Sequence, residues 1–253
     1  MGALHQGHLS LVRRARGECD CVVVSIFVNP IQFGPKEDYA DYPRTFEKDC
    51  FLLNREKTDI VFHPKTSAVF SSNHSTYVTE NSLSQHLCGL SRPGHFTGVC
   101  TIVAKLFNIV MPDVAYFGRK DYQQALIIQK MVDDLNFPVK IKTLPIVREK
   151  DGLAMSSRNK YLTAGQRKQA LCLRKALLEA AFSIKRGRRK SSEIINQIQK
   201  ALKGRPQTKV DYVEIVEARS LKPLKKLKGR VLIALAVYVG KTRLIDNVVI
   251  DVK

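Results

Sequence analysis

The stretch "GVCTIVAKLFNIVMPDVAYFGRKDYQQALIIQKMVDDLN" (residues 98–136) holds two helical patterns around one short extended run. Apolar residues recur at helical spacing up to Met111-Pro112, where proline cannot continue the hydrogen-bond ladder. "DVAYFG" (113–118) then reads as a strand, and "DYQQALIIQKMVDDLN" (121–136) as a helix capped by Asp121. Upstream, "GHLSLVRRARGE" (7–18) has helical spacing. "CVVVSIFV" (21–28) is a continuous β-branched run, suited to a strand covered on both faces. "TFEKDCFLLNREK" (45–57) reads as a helix with Thr45 as N-cap, and "DIVFHP" (59–64) as a short strand stopped by Pro64. Downstream, "PVKIKTLPIV" (138–147) reads as a strand pair bent at Pro145. Helix and strand in alternation imply an α/β fold with a doubly wound, Rossmann-like parallel sheet. Ligands of such sheets lie beyond the carboxyl ends of the strands.

The rhythm changes after Val147. Two helices (about 164–183 and 191–203) precede three strands, "KVDYVEIVEA", "RVLIALAVYV" and "TRLIDNVVIDV", the last two joined by a turn through Gly240-Lys241. That order is α+β, so two domains are expected: 1–147, and a smaller one, 148–253.

The 253 residues suffice for a sizeable core. The longest apolar run, "VLIALAVYV", is too short for a membrane helix, and no signal peptide is legible, so no membrane partner is expected. Six scattered cysteines without metal-finger spacing fit reduced thiols in a cytoplasm. The net charge of +19 admits nucleic acid, an acidic membrane or anionic small substrates. The basic runs "KRGRRK" (185–190) and "LKPLKKLKGR" (221–230) lack interleaved aromatics for base stacking and read as solvated faces, so no nucleic-acid partner is expected.

Polar clusters fall where this α/β pattern places its loops. His5-Gln6-Gly7-His8 opens a helix, where free backbone N–H groups attract phosphate and imidazoles can follow developing charge. A metal-binding pair or an ordinary exposed terminus is the competing reading. Gln32 follows Asn29-Pro30 at the end of a buried strand, and its amide both donates and accepts. Arg92 and His95, in "SRPGHFTG" (91–98), either contact anions or merely lead into the next helix. "FGRKDYQQ" (117–124) sets Lys120, Asp121 and Gln124 at another helix mouth. "DGLAMSSRN" (151–159) offers two hydroxyls and Arg158 as a mobile anion clamp.

An HxGH helix start with a downstream Ser/Arg loop resembles the two signatures of the nucleotidyl-transferase superfamily that includes class I aminoacyl-tRNA synthetases. The resemblance narrows with "MGALHQGHLSLV", "SIFVNPIQFGPKEDYADYPRT", "RPGHFTGVCTIVAKLFNIVMPDVAYFGRKDYQQ", "DGLAMSSRNKYL" and "TRLIDN", which together are similar to the pantoate–β-alanine ligase family. It implies ATP-dependent joining of pantoate to β-alanine through pantoyl adenylate, with AMP and pyrophosphate released and Mg²⁺ on the phosphates. It places His8, His5, Lys120, Ser156, Ser157 and Arg158 in catalysis. It places Met1, Gly2, His5, Gly7, His8, Gly118, Arg119, Lys120, Asp121, Val147, Met155, Ser156, Ser157 and Arg158 at ATP. Gln32 and Gln124 fall on the residues that hold pantoate, and Gln32 also lies near β-alanine. The family also implies a homodimer. Its members have a strand before the HxGH element, so the usual first strand of the sheet is expected to be missing.

Three other readings compete. One is another adenylyltransferase of the superfamily, acting on phosphopantetheine or a nicotinamide mononucleotide. The second is a nucleic-acid-binding protein, suggested by the charge. The third is a truncated and poorly active family member.

Overall fold

A computed structural model describes residues 2–35 and 37–253, which divide into two compact units: the described residues up to 85 with 92–147, and residues 86–91 with 148–253. In the first unit α1 (Gln6–Arg16) buries Leu9, Val12 and Ala15 on one stripe, and its last turn carries Arg13, Arg14 and Arg16, which complement the helix dipole. β1 (Val23–Ser25) runs parallel to β2 (Ile60–Phe62), with α2 (Phe46–Arg55) between them in the chain. The strand expected over 21–28 shortens to three residues because only its middle finds a full ladder. Backbone bonds from Ile60 N–H to the Val22 carbonyl and from Ile26 N–H to the Phe62 carbonyl extend the pairing slightly.

Two short helices follow in the chain, α3 (Thr66–Val69) and α4 (Cys88–Ser91), the latter in the second unit. The long apolar helix α5 runs His95–Val110, three residues earlier than its periodicity implied. Gly94, at φ +79°, makes the entry turn, and Met111 leaves in the left-handed region just before Pro112. β3 (Val114–Gly118) and β4 (Lys140–Leu144) form a second parallel pair, with α6 (Tyr122–Asp134) between them. The strand pair expected around Pro145 is a single strand that ends before the proline. Among the described residues the expected single sheet is present as two parallel pairs, β1-β2 and β3-β4. α1 serves both. Its stripe packs with Val22, Val24 and Ile26 around β1, and Tyr116 of β3 packs against the same cluster. The Tyr116 hydroxyl donates to Glu18 just past the end of α1.

The second unit contains α7 (Ala164–Lys185), α8 (Ser191–Lys203) and an antiparallel sheet of β5 (Thr208–Glu217), β6 (Gly229–Val239) and β7 (Thr242–Val252), in that order. Thr163 and Gln166 form a capping box at the start of α7. Leu173, Leu177, Ile194, Ile198 and Leu202 of the helices pack on Ile215, Val231, Ile233, Leu235 and Val237 of the sheet. β6 is the central strand, which accounts for its unbroken apolar run. Gly240, at φ +58°, makes the tight β6-β7 turn.

Candidate active site

The HxGH element caps its own helix. His5 is the N-cap of α1, in an extended conformation, and its Nδ1 accepts from the Gly7 N–H at 3.1 Å. The Nδ1 of His8 accepts from the His5 N–H at 3.4 Å, closing a capping box built of imidazoles. The two rings stack with centroids 3.9 Å apart. Since each Nδ1 accepts a backbone N–H, the ring proton of each neutral imidazole belongs on Nε2. Burial holds the His8 pKa well below its ordinary value, and the charges of His5 and Lys120 push the same way. His8 is therefore a neutral hydrogen-bond donor at a helix N-terminus.

The backbone leading into this cap is held by Asp49 of α2, which sequence reasoning missed. Asp49 is 1% exposed and accepts the Ala3 N–H at 2.9 Å, the Leu4 N–H at 2.8 Å and the Thr45 hydroxyl at 3.1 Å. Thr45 stands at the N-cap position of α2 but spends its hydroxyl on Asp49 rather than on the helix backbone. The available signal was an acid one turn before Leu53, on the buried face of the helix. Gly2 is buried, its Cα facing Val28, where an added Cβ would lie 3.6 Å from the valine methyl. Met1, expected at ATP, lies outside the described residues.

Gln32 ends the short 3₁₀ turn Pro30–Gln32. Its side-chain Oε1 accepts from the Asn29 amide at 3.2 Å, and that amide also donates to the Gly98 carbonyl at 3.0 Å. Asn29 is 2% exposed, and its own Oδ1 is buried with no hydrogen-bond partner among the described residues. Arg92 and His95, read from sequence as possible anion contacts, are committed to this turn. Arg92 forks onto Glu37 at 2.6 and 2.5 Å, and its remaining arm meets His95 Nε2 at 3.0 Å. The guanidinium can only donate, so His95 carries its proton on Nδ1 and donates it to the Gln32 carbonyl at 2.9 Å.

Burial and the Arg92 charge lower the His95 pKa to about 4, while Gln32, Glu37 and Asp121 oppose the shift. The folded pKa lies below the ordinary 6.5, so the unfolded chain takes up this proton first as pH falls. Stability from His95 is fully present above about pH 6.5 and is lost on the way down to about pH 4, by roughly 3 kcal/mol. Urea unfolding at steps across that range should show the loss, and His95→Gln should flatten it.

Gly118 ends β3, and Arg119, Lys120 and Asp121 form a 3₁₀ turn that passes into α6. Asp121 is at the N-cap position of α6 without a side-chain cap bond, and lies 3.7 Å from Lys120 Nζ. Gln124 is half-buried in the first turn of α6. The Lys120 charge is felt at His8 and the Asp121 charge at His95, which bonds the Gln32 turn. The β3-α6 turn thus neighbours both the HxGH helix start and the Gln32 turn. Three of the clusters come together within the first unit, with half-buried Val147 its last residue.

Ser156, Ser157 and Arg158 belong to the second unit. Ser156 caps the 3₁₀ helix Ser157–Tyr161, its hydroxyl accepting the Arg158 N–H at 3.3 Å. Ser157 is 6% exposed, and Met155 and Arg158 are half-buried. The segment expected to act as an anion clamp forms a hydrogen-bonded turn.

Comparison with known proteins bears on these arrangements. The model of the pantoate–β-alanine ligase family matches residues 1–249. A pantothenate synthetase of Moorella thermoacetica is 56% identical over 252 residues, covering 100% of this chain and 89% of the relative. The solved pantothenate synthetase of Thermus thermophilus superposes with a TM-score of 0.94 at 45% identity, covering 98% of this chain and 90% of its own. The pantoate–β-alanine ligase of Francisella tularensis, solved in complex with β-γ ATP and β-alanine, gives a TM-score of 0.81 at 36% identity, covering 98% of this chain and 86% of its own.

Proposed function

Since the chain belongs to the pantoate–β-alanine ligase family and condenses pantoate with β-alanine using ATP, we propose that the clusters described above perform this reaction. The pantoate carboxylate attacks the α-phosphorus of ATP, forming pantoyl adenylate as pyrophosphate leaves. The β-alanine amine then attacks the activated carbonyl, forming the amide as AMP leaves. The observation that carries the site assignment is the imidazole capping box, with its Nε2 protons and the Lys120 charge close by.

Joining a carboxylate to a polyphosphate brings anions together, so fixed donors and cations must meet the developing charge. In this reading His5, His8 and Lys120 act on the phosphates from the first unit, with Gly2, Gly7 and Gly118–Asp121 lining ATP. Val147, Met155, Ser156, Ser157 and Arg158 complete the ATP contacts. Gln32 and Gln124 orient pantoate, and Gln32 also meets β-alanine. His8 donates a hydrogen bond and does not give up its proton, because it is already neutral. Mg²⁺ would arrive with ATP and offset the charge of its phosphates, and such an ion commonly needs only one or two carboxylates from the protein. Asp121, half-exposed beside Lys120, offers one. The two parallel pairs are read as parts of one doubly wound arrangement, supported by the superposition on the Thermus enzyme. The first unit is then the ATP- and pantoate-binding domain and the second a smaller lid domain. A cytoplasmic setting is supported by six free thiols, and a homodimer by family likeness.

The test is AMP formation from ATP that requires both pantoate and β-alanine. Arg158→Ala should slow single-turnover adenylate formation by about 100-fold, while the Kd for pantoate changes less than about threefold. An unchanged single-turnover rate would remove Arg158 from the phosphate site.

A further inference from the structure

We propose that Asp246, in the "TRLIDN" segment of β7, is a positioning residue for the Ser156–Arg158 turn and acts on it through Arg148. The proposal rests on the reading of that turn as a phosphate-binding element, and every contact in it lies within the second unit. Asp246 is 3% exposed, and its two oxygens accept from the two terminal nitrogens of Arg148, each at 2.8 Å. One of the same oxygens also accepts the Asn247 N–H at 2.8 Å. Burying such a pair brings little net stability, since two apolar side chains of similar volume do as well or better. A fork-to-fork pair does fix direction and distance.

What it fixes is the chain entering the turn. The Arg148 guanidinium donates onward to the Gly152 carbonyl at 3.1 Å, and residue 148 bridges to Ala154 across a tight hairpin. Glu149 and Leu153 close that hairpin at 2.9 Å, with Gly152 at φ +92° at its bend. The Asn159 amide then donates to the Ala154 carbonyl at 3.0 Å and to Glu149 at 2.6 Å. Arg167 of α7 holds Glu149 and Asp151, each at 2.7 Å. Asn159 stands in the same 3₁₀ helix as Ser157 and Arg158. The position of the phosphate-binding groups is therefore set by a carboxylate nearly ninety residues later in the chain. The Asp246 charge also acts on Arg174 of α7, opposing the depression of its pKa by burial and the Arg148 charge.

Misplacing reacting groups by about 1 Å can cost on the order of 100-fold in rate. Asp246→Asn keeps the shape and removes the charge. It should lower pantoate-dependent ATP–pyrophosphate exchange at least tenfold, with pantoate KM within about twofold. Transfer of the pantoyl group from supplied pantoyl adenylate to β-alanine should be nearly unchanged. Arg148→Lys keeps the charge and loses the fork, and should slow exchange to an intermediate degree. It also decides the matter if Asp246→Asn does not fold. Equal losses in exchange, transfer and pantoate KM, tracking a lowered melting temperature, would make the pair merely structural and overturn the proposal. If Arg158→Ala slows exchange while neither Asp246→Asn nor Arg148→Lys does, this proposal alone falls. If Arg158→Ala leaves exchange intact, the phosphate reading fails and this proposal with it.

Discussion

His8→Ala should lower the single-turnover rate of pantoyl adenylate formation by about 10² to 10³-fold, the usual loss when one preorganised donor to a developing oxyanion is removed. The geometry specifies which atom matters. The Nδ1 of His8 is occupied by the His5 N–H, so only the Nε2 proton can reach a phosphoryl oxygen. His8→Gln, which keeps an N–H donor on a side chain of similar reach, should recover part of the loss. Because burial keeps His8 neutral, the adenylation rate should be flat from about pH 6 to 8 in the parent protein. Quenched-flow measurement of pyrophosphate release checks both points. A rate that titrates in this window, and stops titrating in His8→Gln, would mean that His8 transfers its proton.

Gly98→Ala should be the most damaging single methyl in the first unit. A Cβ on Gly98 would lie 2.6 Å from both the Gln32 Cα and the Ile31 carbonyl carbon, and closer still to the Ile31 oxygen. These are backbone atoms, so no side-chain rotation relieves the clash. Either α5 or the Pro30–Gln32 turn must shift. Overpacking of this kind costs about 1–3 kcal/mol in stability. The turn is already tied by His95 and Arg92 to the helix that would push it. Gln32 should therefore move with it, and pantoate KM should rise at least tenfold. Gly165→Ala near the start of α7, where an added Cβ meets nothing within 4 Å, is the matched control and should leave both KM and melting temperature unharmed. Thermal melting beside pantoate titration separates the stability loss from the binding loss. A Gly98→Ala protein with ordinary pantoate KM would show that α5 rather than the Gln32 turn gives way, and Gln32→Ala with an unchanged pantoate KM would show that Gln32 does not hold pantoate.

The chain by itself determined the alternation of α1 to β4, the α+β order after Val147, and the HxGH, Lys120 and Ser156–Arg158 segments on which the proposed site rests. Those readings depend on helical or strand periodicity, on proline and glycine, and on functional groups adjacent in sequence. All of these act over a few residues. Helical spacing alone hints at the burial of Asp49, and nothing local to Glu37 or Asp246 distinguishes a solvated carboxylate from one held by a guanidinium fork. Arg92 and His95 looked available to substrate, yet they are spent on Glu37 and the Gln32 carbonyl. Only tertiary structure decided these roles, and the division of the parallel strands into two pairs. Partners 40 to 100 residues apart are brought together by packing, and a buried charge is tolerated only where such partners meet it.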